Sequence, residues 1–248
     1  PTDAGIELLE RAEKILDEMR QAREAVAAHS GKVLGTLRVT VPQSLGARRM
    51  GRMFADFARL YPEILLDVDF DDRVKDLIDS KYDAAIRIGH MPDSSFIIRQ
   101  LQPVRAVCAA SPDYLEKFGT PEEPRDLYGH ECLRYLNART GEWEFLSGGK
   151  QIRIRPHGRM ASGNGEALLQ WAILGFGVLY APNFIVEDAL KDGRLVRILA
   201  DYASPELSMC VMRPPGGLVP AKVRALTDFL VTQMGVYCNE DEQGESTD

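Results

Sequence analysis

The sequence predicts an α/β protein with two successive α/β units behind a long N-terminal helix. Strand-like and helix-like segments alternate from residue 35 onward, which implies parallel sheets covered by helices on both faces. A charged stretch with two prolines, residues 120–124, separates the first unit from the second. Residues 6–28 follow a helical pattern and contain neither Gly nor Pro.

An apolar seam runs along the predicted N-terminal helix at the spacing of a coiled coil. Its positions recur every three or four residues, at Leu8, Ala12, Ile15, Met19, Ala22 and Val26. Leu9 and Leu16 widen this stripe. The pattern therefore fits both a dimerisation helix and a helix that packs on its own domain.

The other segments are assigned from hydrophobic periodicity and turn residues. In the first unit, the predicted strands are residues 37–41, 64–70, 82–89, 96–102 and 104–110, and the predicted helices are 43–60, 74–80 and one that begins at residue 111. The second unit is predicted to hold a hairpin of 141–145 and 151–154, strands 158–162, 175–180, 195–198 and 207–212, and helices 165–174, one from residue 181, and 221–234.

Composition and charge describe a soluble globular chain. The 248 residues are 45% hydrophobic, enough for a substantial core, and carry a formal charge of −7. This balance disfavours a protein that coats nucleic acid, because such binding depends on basic residues. Five acidic and no basic side chains stand in residues 239–248, and residues 235–248 are predicted to be a disordered acidic tail. Residues 35–238 are neutral, with 25 basic and 25 acidic side chains.

The chain shows none of the sequence signatures of common catalytic or metal sites. It contains no HExxH, GxSxG or phosphate-binding loop, and its four histidines lack metal spacing. We interpret Asp71-Asp72 as a solvated turn. Four separated cysteines suit buried thiols, and no transmembrane run or signal segment is visible. We therefore expect a cytoplasmic protein that is not an enzyme and uses no cofactor, metal or membrane.

Several segments together resemble the LysR-type transcriptional regulators, from residue 1 to about residue 234. Residues 2–28 resemble the end of that family's DNA-binding module and its linker helix. GTLRVTVP (35–42) and YDAAIRIG (82–89) are similar to its first effector lobe, and NGEAL (164–168) and GFGVLYAP (175–182) to its second. The resemblance implies that the family's N-terminal winged helix-turn-helix is absent from this chain.

The resemblance also implies a periplasmic-binding-protein-like fold, in which two Rossmann-like lobes are joined by two crossover strands. The chain then divides into a linker and dimerisation helix (1–34), lobe I (35–107 with 208–234), lobe II (108–207) and the tail. Cys108 and Cys210 fall on the predicted crossover strands and are expected to be neighbours. The protein is expected to be a homo-oligomer, dimer or tetramer, that senses a small effector and reaches DNA only through the missing module.

The predicted effector site lies where strands of the parallel sheets end and helices begin. It comprises Gln43, Ser44, Arg87, Gly89, His90, Arg105, Asn164, Gly165 and Tyr180. Structural alternatives stay open: a helix cap at Ser44, an internal ion pair at Arg87, a surface position for Arg105, a plain turn at 163–165 and a core position for Tyr180. Arg87, Arg105, His90 and the helix-end amides favour a carboxylate effector, and an apolar or empty cleft is the alternative.

A two-lobed solute-binding protein or an enzyme on the same fold is the competing hypothesis. A transport receptor would need an export signal, which the sequence does not show. An enzyme would need a reactive pair, and Ser44, His90 and Tyr180 have no evident partner in the sequence. The ligand-sensing part of a transcriptional regulator is therefore the favoured function.

Overall fold

A computed structural model of the chain describes residues 2–29, 31–73, 77, 82–89, 96–138, 140–216 and 219–243. The first elements are α1 (Asp3–His29), β1 (Gly35–Val41), α2 (Gln43–Leu45), a π-helical turn (Gly46–Met50), α3 (Gly51–Leu60), β2 (Ile64–Phe70), β3 (Ala84–Gly89) and β4 (Ile97–Val104). They are followed by β5 (Ala106–Ala110), α4 (Pro112–Phe118), a 3₁₀ turn (Pro124–Gly129), β6 (Cys132–Tyr135), β7 (Trp143–Ser147), β8 (Lys150–Ile154) and β9 (Ala161–Ser162). The last are α5 (Gly165–Ile173), β10 (Val178–Pro182), α6 (Asn183–Lys191), β11 (Val196–Ile198), β12 (Leu207–Arg213) and α7 (Ala221–Gln243).

Two five-stranded sheets define two lobes, which we call lobe I and lobe II. The sheet of lobe I has the order β2-β1-β3-β12-β4, and that of lobe II has the order β11-β5-β10-β6-β9. The β1–β2, β1–β3, β6–β9 and β6–β10 pairs are parallel, as the alternation of segments predicted. The β5–β10, β5–β11, β3–β12 and β4–β12 pairs are antiparallel, so both sheets are mixed and not purely parallel as expected. The chain passes from lobe I to lobe II between β4 and β5 and returns between β11 and β12. This is the predicted two-lobed α/β fold.

The core of lobe I lies between its sheet and helices α3 and α7. Leu37, Val39 and Val41 of β1 are fully buried. The ring of Phe57 on α3 is also fully buried and lies 5.5 Å from that of Phe229 on α7, centroid to centroid. These contacts hold the two helices on the sheet and set the position of the β-strand ends that face lobe II.

The helix after β1 departs from regular α geometry. Residues Gly46–Met50 form a π-helical turn between α2 and α3. A Cβ on Gly46 would lie 2.3 Å from the ring of Phe70, so only glycine lets this turn approach the end of β2 so closely. The sequence predicted one continuous helix here, because an inserted turn leaves no mark on the hydrophobic period.

Several other predicted boundaries need correction. The strand predicted at 158–162 is limited to β9, and β6 was not predicted because four residues show too little periodicity. Helix α7 continues to Gln243, past the predicted end at residue 234, since residues 236–243 contain no Gly or Pro. Residues 235–243 are thus helical rather than disordered. The helix predicted at 74–80 and the last five residues of the tail lie outside the described residues, apart from Leu77.

Cys108 and Cys210 are not neighbours, contrary to expectation. Cys108 pairs with Tyr180 and Ile198 in the lobe II sheet, whereas Cys210 stands in β12 of the lobe I sheet. The reason is that the chain crosses between the lobes before β5 and before β12, so each of these strands lies wholly in one lobe. Both are buried free thiols, as predicted, and burial raises the pKa of each.

Within the described ranges, no helix combines the length and the apolar character needed to span a membrane.

Candidate functional site

The two lobes meet where the end of β1 faces the start of α5, and we call this contact the interlobe seam. Gln43, the first residue of α2, accepts a hydrogen bond at Oε1 from Asn164 Nδ2 over 2.5 Å. Next to this bond, Ser44 Oγ lies 2.9 Å from the position that a Cβ on Gly165 would take. Four of the residues predicted from the sequence are therefore brought together, two from each lobe.

Asn164 serves the turn and the seam at the same time. Its Oδ1 accepts from the backbone N–H of Ala167 at 2.9 Å, which caps α5, while its Nδ2 reaches Gln43. The sequence left open a plain turn at residues 163–165, and the cap at Asn164 and the bond to the other lobe are additions to it. The side chain is thus held rigidly by contacts on both sides.

Ser44 carries a hydroxyl that the fold buries without using. The residue is 3% exposed, and its Oγ makes no hydrogen bond of ordinary geometry within the described part of the chain, although the hydroxyl is near enough to the Glu166 carboxylate to help lower the pKa of that group. Its side chain does not cap α2 either, contrary to the structural alternative. Because a buried hydroxyl without a partner costs free energy, this atom is suited to bond a molecule held in the seam.

Arg87 of β3 lies inside a polar cluster at the same end of the lobe I sheet. Its guanidinium donates to Thr40 Oγ1 at 3.1 Å and to the carbonyl of Ile86 at 3.0 Å. Burial lowers the pKa of Arg87, and the negative charges of Asp71 and Asp72 offset part of this shift. The charge of Arg87 is therefore partly compensated within lobe I, although the cluster borders the seam.

The carboxylate of Asp72 lies at the seam and not in a solvated turn, which corrects our interpretation of Asp71-Asp72. Its Oδ1 accepts from the backbone N–H of Gln43 at 3.1 Å, and burial raises the pKa of Asp72. Burial and the charge of Asp72 raise the pKa of Tyr135, at the end of β6 in lobe II, to about 12. Thr40, Asp72 and Tyr135 were missed by the sequence analysis. The position of Asp72 directly after a parallel strand was the signal that could have identified it.

Charged pairs hold the lobes together beside the seam. Arg48 donates from Nε and Nη2 to the two carboxylate oxygens of Glu166 in α5, at 2.7 Å each. Its Nη1 also lies 3.2 Å from Asp188 Oδ2 in α6. Arg49 pairs with Glu187. The π-helical turn carries both arginines, so it presents adjacent side chains to lobe II. Arg48 is the main reason that the pKa of Glu166 is lowered.

The remaining predicted residues lie apart from the seam or outside the description. Gly89 is at the end of β3 beside Ser208. His90 lies outside the described residues. Arg105 lies between the lobes' sheets on an exposed stretch, where its Nη2 is 3.7 Å from Glu206 Oε2. Its neighbours Val104 and Ala106 are buried in β4 and β5, whereas the side chain of Arg105 points to the surface.

Tyr180 belongs to the core of lobe II. Its ring stacks on Trp143 of β7 with a centroid separation of 5.3 Å, and its hydroxyl donates to the carbonyl of Glu144 at 2.6 Å. Leu179 and Ala181 face the core shared with α5 and α6, so strand alternation turns Tyr180 to the opposite face. The sequence predicted that Tyr180 lies at the end of a strand, but it did not predict which face of the sheet the side chain is on.

We expect Tyr180→Phe to act on stability and not on effector binding. Loss of the hydroxyl leaves the Glu144 carbonyl without its donor and should lower the free energy of unfolding by about 1 kcal/mol. Urea denaturation measures this change, and titration with an effector measures affinity. If Tyr180→Phe weakened effector affinity and left stability unchanged, Tyr180 would be a residue of the effector site.

Among the described residues, no three His, Cys, Asp or Glu side chains form a group that could hold a metal ion. The seam instead offers a hydroxyl, amides, a phenol and a partly compensated Arg–Asp cluster. These groups are suited to hold a small polar molecule by hydrogen bonds. Two lobes with polar residues at their facing edges define a two-lobed α/β effector-binding domain of the periplasmic-binding-protein type.

Comparison with known proteins assigns this domain to a family. The LysR substrate binding domain matches residues 30–235, and the chain belongs to the LysR-type transcriptional regulators. An HTH-type transcriptional regulator of Xanthomonas campestris is 34% identical over 239 residues, which cover 94% of this chain and 69% of the relative. The regulator CrgA of Neisseria meningitidis is 30% identical over 237 residues, covering 94% and 79%.

Solved structures agree with the assignment. The structure of CrgA is 28% identical with a TM-score of 0.72, and the match covers 94% of this chain and 80% of that one. The full-length structure of AphB, a virulence activator of Vibrio cholerae, is 25% identical with a TM-score of 0.72 over 94% and 80%. The chain thus contains the ligand-sensing regulatory domain of a LysR-type regulator. This family consists of transcriptional regulators and not of enzymes, as the sequence analysis expected.

Proposed function

We propose that a small effector binds in the interlobe seam and shifts the balance between arrangements of the two lobes. The observation that supports this proposal is the buried Ser44 hydroxyl, which forms no hydrogen bond of ordinary geometry in the described chain and lies against the start of α5, near the Glu166 carboxylate. Asn164 of lobe II and Asp72 of lobe I border the same place. A ligand that contacts both lobes favours the arrangement in which those contacts exist.

The chemistry of the seam favours a polar effector with a hydrogen-bond acceptor for Ser44. Of the cations that favoured a carboxylate, Arg105 lies elsewhere, and Arg87 is partly compensated by Asp71 and Asp72. A carboxylate at Arg87 would compete with these two aspartates. An effector with one hydrogen-bond acceptor for Ser44 and one donor for Asp72 would bind both residues without competing with the aspartates for Arg87.

The effector proposal is tested by a thermal-shift screen of small polar metabolites, followed by titration of each hit. We expect Ser44→Ala to weaken a hit by about five-fold, since one buried hydrogen bond contributes on the order of 1 kcal/mol. Asn164→Ala should weaken it further, because it removes the α5 cap and the bond to Gln43.

Ser111→Ala is the matched control for this test. Ser111 is also buried, but it caps α4 by accepting from the N–H of Tyr114 and lies in lobe II away from the seam. Its loss should lower stability and leave affinity unchanged. Equal affinities of the parent, Ser44→Ala and Asn164→Ala would place the effector outside the seam.

We further propose that α1 joins two copies of the chain, as a dimer or as part of a tetramer. Leu8, Ile15, Met19 and Val26 of the apolar seam are between 58% and 71% exposed, and burying such side chains against a second copy removes them from water. DNA would then be contacted through a winged helix-turn-helix outside residues 1–248, in the cytoplasm. The effector's shift of the lobes would reach that module through α1.

A further inference from the structure

A single buried lysine fastens α1 to lobe I. Lys222, in the first turn of α7, is 4% exposed. Its Nζ lies 2.6 Å from the carbonyl oxygen of Thr36 in β1, 3.1 Å from Asp83 Oδ1 and 3.3 Å from Glu24 Oε2 of α1. An ammonium group has three donors, and here each has an acceptor from a different segment.

The surroundings of Glu24 are shaped to receive its side chain. The side chain is 11% exposed, and its Oε1 makes no hydrogen bond within the described residues, so Lys222 is its principal partner. A Cβ on Gly35 would lie 2.1 Å from that oxygen, and Gly35 has a φ of +109°. Both the space and the backbone conformation therefore require glycine at the start of β1.

Asp83 ties the same lysine to the lobe I sheet. Its second oxygen, Oδ2, accepts from the backbone N–H of Arg38 at 2.8 Å, and its own N–H donates to the carbonyl of Arg38 at 2.9 Å. Asp83 directly precedes β3, the strand that carries Arg87 towards the seam. One strand thus connects the lysine cluster with the proposed effector site.

A second ion pair between this end of the helix and lobe I is weaker. Lys32, just after α1, lies 3.9 Å from Glu63, and both side chains are more than half exposed. Exposed pairs of this kind contribute little, whereas removal of one partner from a buried pair leaves an uncompensated charge. The buried cluster is therefore the stronger of the two fastenings.

We propose that Lys222 is a positioning residue and that the Glu24–Lys222–Asp83 cluster is the joint that sets the direction of α1 on lobe I. The role in signalling rests on the proposed function, but the joint itself is independent of any effector. Loss of the joint would free the end of α1 and leave both lobes folded. A lobe movement would then no longer reach the helix.

Glu24→Gln is the decisive variant, because it removes the charge on α1 and keeps the Lys222–Asp83 pair within lobe I. We expect backbone amides of residues 22–29 to exchange hydrogen at least ten-fold faster, while those of β1 and β10 keep their rates. Lys222→Met should give the same increase if lobe I stays folded. Lys32→Met is the matched control and should leave all rates within two-fold.

Orientation is measured separately by the distance between nitroxide labels at Glu18→Cys and Thr232→Cys, in chains that also carry Cys238→Ser. The distance distribution should be narrow in the parent and broad after Glu24→Gln, with unchanged urea unfolding of the lobes. An unchanged distribution and unchanged exchange in folded Glu24→Gln would overturn the joint. An effector found by the screen should keep its affinity in this variant, so failure of the joint and failure of the effector site remain distinguishable.

Discussion

Replacing Gly165 with valine is expected to keep the lobes from closing and to lower effector affinity at least ten-fold. A Cβ at this position would lie 2.9 Å from Ser44 Oγ and 3.1 Å from Ile185 Cδ1, and valine adds two further methyl groups. Overpacking of a fixed contact costs typically about 1–3 kcal/mol. Because Ser44 belongs to lobe I and Gly165 to lobe II, separation of the lobes relieves the contact with Ser44, whereas the contact with Ile185 lies within lobe II and is relieved by movement of that side chain.

Calorimetric titration and small-angle scattering measure the two parts of this result. We expect a weaker dissociation constant and a larger radius of gyration for Gly165→Val. Gly129→Val is the control, since a Cβ there meets nothing within 4 Å. If Gly165→Val bound the effector as tightly as the parent and kept its radius, closure at the seam would not be needed for binding.

The second large effect is expected from charges placed in the apolar seam of α1. Ile15 and Met19 are 58% and 66% exposed, and Ile15→Glu combined with Met19→Glu would put two carboxylates into a helix–helix contact. Burial of an unpaired charge is strongly unfavourable, so the oligomer should dissociate towards a smaller species. Light scattering coupled to size exclusion measures the mass.

Two comparisons define the outcome of this experiment. Arg20→Glu places an acidic charge about 120° around the helix from the seam and should not change the mass. A chain that lacks residues 1–34 should behave like the double variant. If both altered chains assembled into the same number of copies as the parent, α1 would not be the contact that joins copies.

The sequence predicted features that depend on local period and turn chemistry. Alternation of strands and helices identified the parallel strand pairs of both sheets, but not the antiparallel pairs made by β5 and β12. The turn at residues 163–165 was identified as the start of α5, where Asn164 is the cap. These predictions succeeded because a buried strand and a capped helix each leave a pattern within a few residues.

Direction and long-range contacts could not be predicted in the same way. Tyr180 was assigned to the correct strand, but its face depends on the β7–β8 hairpin that packs against it. Arg48 and Glu166 are 118 positions apart in the chain and meet only because the lobes close. The π-helical turn that carries Arg48 has no sequence signal of its own. Arg105 was predicted to face the effector because it is a basic residue near a crossover. Its side chain is instead exposed beside Glu206, a position that the sequence alone does not reveal.

Glu24 lies about 160° around α1 from the middle of the apolar seam, at 100° per residue. The Glu24 side of α1 therefore contacts lobe I, while the opposite, apolar side is exposed and available to a second copy. Rotation of α1 about its axis would disturb both sides at once. In a pair of chains the lobes would stand on the outer sides of the two helices. Any insertion or deletion of a single residue between Met19 and Glu24 would rotate one side against the other by about 100°. In such a pair, the length of this segment would set how the lobes of one copy face those of the next.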